Sequence, residues 1–224
     1  LFKWRDDLLA NPRIQELTQA EMAGSLPASP TDPAGAFFFP RQWHMRAIQA
    51  HQAWDAGHVG SEDVTVAILD TGIDYTHADL AGRVDLSRSV SLRPEDDPYV
   101  AYYFPGKHPV TDIGYHGTHV AATVVSNGYA AAGVTSRTTL IGVKTCSVVA
   151  GDCRNIFLGL DHAIRNGADI INMSLGGGFN RSDYPGYVSV INRYINYTNR
   201  MGILLVVSAG NEALDLDHDK EGYK

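Results

Sequence analysis

The amino-acid sequence predicts an α/β fold in which a parallel β-sheet is covered by helices on both faces. Short apolar runs rich in Val, Ile and Leu alternate with longer stretches of helical periodicity, and this alternation is typical of β-α-β units. With 224 residues and a hydrophobic fraction of 44%, the chain can bury one sizeable core. We therefore expect one main domain, at residues 43–224.

Residues 1–42 are predicted to form an N-terminal extension and linker. Asn11 followed by Pro12 is typical of a helix start, and residues 25–36 are rich in Pro, Ser, Ala and Gly, as linkers are. The three phenylalanines at 37–39 would be costly to expose, so we expect them to pack on the main domain. From Trp43 to Trp54, the apolar positions predict a surface helix that leads into that domain.

Four apolar runs are the predicted strands of the sheet, at 64–69, 139–144, 169–174 and 203–208. The first run ends abruptly in Asp70 and a glycine turn, which places a carboxylate at the sheet edge where α/β proteins bind ligands. Helices are predicted at about 154–166 and 184–201, and another follows His116.

Composition excludes several classes of partner. The net charge is −7 and the basic residues are scattered, so we predict no nucleic-acid partner. No apolar run approaches the roughly 20 residues that span a membrane, and none is predicted to be a membrane anchor. The sequence starts at Leu1 without a signal-peptide pattern, so we expect a processed chain or an excerpt.

The chain has two cysteines, Cys146 and Cys153, separated by six residues that include Gly151. A small disulfide-closed loop is sterically possible at this spacing, and it would form in an oxidising compartment. Two free thiols are the alternative. A zinc site is disfavoured because two ligands do not complete a zinc shell.

Four short motifs carry groups that could do chemistry, and they occur in a fixed order. They are Asp70-Thr71-Gly72, His116-Gly117-Thr118-His119, Ser174-Leu175-Gly176-Gly177 and Ser208-Ala209-Gly210-Asn211. Together they resemble the subtilisin family of serine proteases over roughly residues 43–212. The Gly-Thr-Ser-Met-Ala block that carries the family's nucleophile is absent from the sequence. The resemblance therefore implies that 43–224 is the N-terminal part of a subtilisin-like peptidase domain, incomplete without a C-terminal portion.

The resemblance also implies roles for three residues. Asp70 would accept a hydrogen bond from His116 and stabilise the imidazolium, His116 would be the general base, and Asn211 would donate to the oxyanion. The nucleophilic Ser would lie on a missing or separate C-terminal chain. From the residues alone, Asp70 could instead cap a turn, and Asn211 could be a turn former.

Substrate binding is implied for the other two motifs. Ser174, Leu175, Gly176 and Gly177 resemble a strand that pairs with an extended peptide, and Ser208, Ala209 and Gly210 would form the opposite wall of the specificity pocket. The chemistry needs no cofactor. Asp79, in a His-Ala-Asp-Leu segment, is a structural-calcium candidate by resemblance, although residues 126–132 offer few oxygen side chains for the six or more ligands of calcium. A capping or turn role is the alternative.

The predicted function is a secreted or extracellular serine endopeptidase that acts on peptide or protein substrates. A catalytically inactive binding or regulatory module is the runner-up. A metal-dependent hydrolase that uses His116 and His119 is a third possibility, disfavoured because Gly117 and Thr118 replace the Glu and the spacing of a His-Glu-x-x-His helix. The resemblance makes His119 a packed structural residue.

Overall fold

The computed structural model describes residues 32–177 and 183–211 of the chain, and the helix expected near Asn11 falls outside them. The strands in the described residues are β1 (Thr65–Asp70), β2 (Val90–Ser91), β3 (Thr139–Lys144), β4 (Cys146–Ser147), β5 (Asp152–Cys153), β6 (Ile170–Met173) and β7 (Leu204–Val207). The main sheet has five parallel strands in the order β2-β3-β1-β6-β7. A separate antiparallel pair, β4 and β5, follows β3.

Six α-helices connect and flank these strands in the described residues. They are α1 (Trp43–Ala47), α2 (Ala50–Asp55), α3 (Asp97–Tyr103), α4 (His116–Val124), α5 (Ile156–Arg165) and α6 (Pro185–Arg200). None of the helices in the described part of the chain is long and apolar enough to cross a membrane.

The central strand β1 is buried along its whole length because both of its faces are covered. Val66 and Ile68 pack in one cluster with Ala121 of α4. Ala67 and Leu69, which point the other way, pack in a second cluster with α5, and Tyr194 of α6 packs against that cluster too. The predicted fold class, a parallel sheet with helices on both faces, is confirmed.

The prediction of a single helix from Trp43 to Trp54 is wrong, because the chain forms two helices there, α1 and α2, with a break between them. Gln49 adopts a left-handed conformation at the break, with φ of 59°. On a continuous helix, Met45 and Ala50 would point about 140° apart. The break turns Met45, Ala50 and Trp54 into one apolar cluster.

The phenylalanines at 37–39 pack on the main body, as expected. The backbone N–H of Phe38 donates to the carbonyl of Ala130 at 2.7 Å, and the Phe39 ring lies 5.6 Å from that of Trp54. The domain boundary between residues 42 and 43 stays a prediction.

Candidate active site

Asp70 and His116 meet at the carboxyl end of the central strand. Asp70 ends β1 and is 1% exposed, whereas the side chain of His116, the first residue of α4, is 54% exposed. The Nδ1 atom of His116 lies 2.8 Å from Oδ1 of Asp70. A carboxylate at Nδ1 favours the tautomer that leaves Nε2 unprotonated, so this imidazole can act as a base.

The Asp70 carboxylate has few other partners. Its Oδ1 also accepts the backbone N–H of Thr71 at 2.7 Å, and its Oδ2 is buried without a hydrogen-bond partner among the described residues. A buried carboxylate that few donors compensate interacts strongly with a nearby cation. It is therefore placed to stabilise a positive charge on the neighbouring imidazole.

A close approach of two backbones makes this pair possible. A Cβ atom at Gly117 would lie 2.1 Å from the carbonyl oxygen of Gly72 and 3.1 Å from Cβ of Asp70. Any larger residue at 117 would push α4 away from β1, so glycine is required for His116 to reach Asp70.

The first turn of α4 is capped by side chains from other segments. Tyr115, at the N-cap position, has φ of 63° and makes no side-chain cap. Instead, the N–H of Gly117 donates to Oγ1 of Thr71 at 2.9 Å. The N–H and hydroxyl of Thr118 donate to Oδ2 of Asp112 at 3.0 and 2.7 Å. These bonds fix the helix end that carries His116.

The two residues open into a cavity of about 290 Å³, which we call the cleft. It combines Asp70 and His116, part of the predicted substrate strand, and both strands of the β4–β5 hairpin. Its lining consists of Asp70, Thr71, His116, Cys146, Ser147, Gly151, Asp152, Cys153, Ser174, Leu175 and Gly176.

The predicted substrate-binding residues lie at the same edge of the sheet. Ser174, Leu175, Gly176 and Gly177 follow β6, and Ser208, Ala209 and Gly210 follow its parallel neighbour β7. The hydroxyl of Ser208 donates to the carbonyl of Leu175 at 3.1 Å, so the two motifs are in contact. Residues 208–210 do not line the cleft.

Gly177 lines a second, apolar cavity of about 390 Å³ behind Leu175. Phe157 of α5 and Tyr187 and Tyr194 of α6 supply its aromatic walls. Asn211 is an exposed residue four positions beyond the end of β7 and is not among the residues that line the cleft. Its predicted role in the oxyanion hole stays a prediction.

The hairpin of β4 and β5 forms a wall of the cleft that the motifs did not reveal. Its two strands are joined by the expected disulfide between Cys146 and Cys153. Buried Arg93 donates to the carbonyl of Thr145 at 3.1 Å and forms an ion pair with Asp152 of the hairpin. The hydrogen bond from Arg93 lowers the pKa of Asp152, so this ion pair of the wall persists to lower pH than an ordinary aspartate would allow.

Asp79 is held by backbone N–H groups. Its Oδ1 accepts from Tyr129 at 2.7 Å and from Ala130 at 3.1 Å, and its Oδ2 accepts from Ala131 at 3.1 Å. A ring of N–H donors binds an anion and does not fit a calcium ion, which needs oxygen ligands. The geometry thus favours the capping role, and calcium at Asp79 stays a prediction.

His119 is exposed on α4, so its expected place as a packed residue is wrong. Three positions beyond His116, it lines a different cavity with Tyr115 and Thr118. Within residues 32–177 and 183–211, no cluster of three or more His, Cys, Asp or Glu side chains is suited to a metal ion.

Most of the chain, including the segments that form the cleft, is similar in sequence to known proteins. The family model described as Peptidase_S8, the subtilase family, matches residues 61–223. The minor extracellular protease Vpr of Bacillus subtilis is 32% identical over 165 residues, which are 73% of this chain and 19% of Vpr. Subtilisin of Bacillus pumilus is 33% identical over 179 residues, which are 79% of this chain and 57% of that protein. The chain thus spans only part of these relatives.

Solved structures share the fold. The nisin leader peptidase NisP of Lactococcus lactis superposes with a TM-score of 0.63 at 24% identity, over 81% of this chain and 53% of NisP. The epidermin leader peptide processing serine protease EpiP of Staphylococcus aureus gives a TM-score of 0.67 at 21% identity, over 86% of this chain and 46% of EpiP.

Proposed function

The chain belongs to the subtilase family, and we propose that the complete protein is a serine endopeptidase in which Asp70 and His116 are the base half of an Asp-His-Ser triad. The contact of 2.8 Å between Nδ1 of His116 and the buried carboxylate of Asp70 carries this proposal. His116 would take the proton of the attacking Ser at Nε2 and return it to the leaving amine, while Asp70 stabilises the imidazolium.

The attacking Ser would be supplied by a C-terminal portion, on this polypeptide or on a separate chain. The edge strand β7 supports such a portion. It pairs only with β6 among the described strands, and its apolar residues Leu204, Val206 and Val207 are exposed. Exposed apolar edge strands are normally covered, so further protein packed on β7 would bring a nucleophile toward the cleft.

The substrate would be an extended peptide that adds a strand beside Ser174, Leu175 and Gly176. Backbone pairing of this kind is largely independent of sequence, so side-chain pockets would supply the specificity. The apolar cavity behind Leu175 would take an apolar side chain, because Phe157, Tyr187 and Tyr194 line it. Ser208, Ala209 and Gly210 would form the facing wall, and Asn211 would donate to the oxyanion.

We also propose that the protein is secreted. The disulfide between Cys146 and Cys153 fits an oxidising compartment, and several relatives, such as Vpr, are named as extracellular proteases.

The experiment is intact-mass analysis of the natural protein after reaction with a fluorophosphonate serine probe, under denaturing, non-reducing conditions. We expect an adduct on the polypeptide that carries the C-terminal portion. His116→Ala should reduce the labelling rate by at least about 10³-fold, because the Ser loses its base. His119→Ala, a matched change three residues away on the same helix, should label normally.

Two other outcomes would identify the alternatives. No adduct on any polypeptide would support the inactive binding module. Hydrolysis that a chelator abolishes and the probe leaves intact, with both histidine variants inactive, would support the metal-dependent hydrolase.

A further inference from the structure

Lys144 is a fully buried lysine close to Asp70, the proposed partner of the general base His116. It ends β3 and is 0% exposed, although lysines are almost never fully buried without a partner. Lys144 lies in register with Asp70, so the two side chains leave the same face of the sheet. Its chain passes under the turn after Asp70, where a Cβ atom at Gly72 would lie 2.8 Å from its Cε atom.

The ammonium group ends on the loop that precedes α4. Its Nζ donates to the carbonyl of Thr111 at 2.6 Å. The next residue is Asp112, the carboxylate that accepts both the N–H and the hydroxyl of Thr118 in the first turn of α4. Lys144 is therefore linked through Thr111 and Asp112 to the helix end that carries His116.

Three carboxylates act on this ammonium group, from Asp96, Asp97 and Asp112. Burial lowers the pKa of Lys144, and these negative charges oppose that shift. Asp96 and Asp112 are themselves buried. Asp96 accepts a hydrogen bond from Ser147 of the β4–β5 wall, so the cation lies among carboxylates that hold the two sides of the cleft.

We propose that Lys144 is a positioning residue of the proposed protease, which fixes the 111–112 loop and, through Asp112, the orientation of His116 toward Asp70. It touches neither the substrate nor the reacting atoms. The inference rests on the proposed function, since the position of His116 matters only if His116 is the base.

The test is Lys144→Met in the complete protein, with kcat and KM measured separately on a peptide substrate. We expect kcat to fall at least about tenfold because the base is misaligned, and KM to change by less than about threefold. Leu140→Ala is the control, since Leu140 is fully buried on the same strand and face. It should lower Tm and leave kcat unchanged.

Asp112→Asn gives a second readout. Because Asp112 connects the loop to Thr118 in the first turn of α4, its loss should also lower kcat at a nearly unchanged KM, and the double variant should lose little more kcat than Lys144→Met alone. If Lys144→Met does not accumulate as folded protein, the kcat of Asp112→Asn decides the matter. An unchanged kcat in either variant, or an equal loss of kcat in Leu140→Ala, would overturn the inference. A wild-type protein that does not react with the serine probe would refute the proposed function instead.

Discussion

Replacement of Asp79 by Asn should destabilise the protein by about 3 kcal/mol at pH 7. The carboxylate of Asp79 is buried and accepts the backbone N–H groups of residues 129, 130 and 131. Hydrogen bonds to a charged group contribute about 1.5–3 kcal/mol each. An amide keeps one acceptor oxygen but turns an NH₂ group toward the N–H donors, so at least one such bond is lost and a donor is left unsatisfied.

The assay is urea unfolding of the complete protein, with excess EDTA and with millimolar calcium. Since N–H donors already occupy both oxygens of Asp79, we expect the free energy of unfolding of the wild type to be the same in the two buffers. Asp74→Asn is the matched control. The Asp74 carboxylate accepts only from Thr76 in the described contacts and is half-buried, so its loss should cost less than about 1 kcal/mol.

A result that reverses this pattern would refute the reasoning. In that result, EDTA would lower the free energy of unfolding of the wild type by 2 kcal/mol or more, roughly the contribution of one charged hydrogen bond, and Asp79→Asn would remove this sensitivity. Asp79 would then be a calcium ligand, and the assignment of its oxygens to N–H donors would be wrong.

Three further predictions concern the cleft and the protein's acid stability. Replacement of Cys146 and Cys153 by Ser should cost about 2 kcal/mol of stability and raise KM more than it lowers kcat, because the disulfide joins the strands of the cleft wall; an unchanged KM would contradict that placement. Gly117→Ala should reduce kcat by about 10³-fold or more, since its Cβ would lie 2.1 Å from a backbone oxygen; a folded variant with wild-type kcat would contradict the geometry. Hydrogen bonds from Ser87 and Arg88 lower the pKa of Asp85 from 3.8 to about 2, so its stabilisation is complete above pH 4 and is lost as the pH falls through about 2. Asp85→Asn should therefore cost about 1 kcal/mol at pH 7 after solvent screening and almost nothing near pH 2 in urea titrations.

Four of the five strands of the sheet could be predicted from the sequence because each is a short apolar run, whereas β2 at Val90–Ser91 has only two residues and was missed. The predicted run at 139–144 coincides with β3, and the run at 64–69 lies within one residue of β1. The position of Asp70 at the sheet edge followed from that run. The encounter of Asp70 with His116 depended on the resemblance, because no local pattern fixes which loops approach each other across the edge.

Features that depend on tertiary packing could not be predicted. A glutamine at position 49 does not by itself indicate a helix break. The break is required only because Met45, Ala50 and Trp54 pack in one apolar cluster. A lysine at the end of a strand is normally expected at the surface, so the burial of Lys144 was not apparent. Likewise, the caps of α4 come from Thr71 and Asp112, outside the helix, where a search for an N-cap residue at position 115 does not find them.

The central position of β1 has a consequence for the order in which the molecule assembles. Its neighbours are distant in sequence, since Thr65 pairs with Thr139 of β3 and Val66 with Ile170 of β6. Pairings over such distances form slowly because long loops must close first. Asp70 is the last residue of that strand, so a nascent or partly folded chain holds no ordered carboxylate for His116. His116, the proposed base, would therefore gain its carboxylate partner only when the sheet is complete. Peptide-bond cleavage would then not begin until folding has ended.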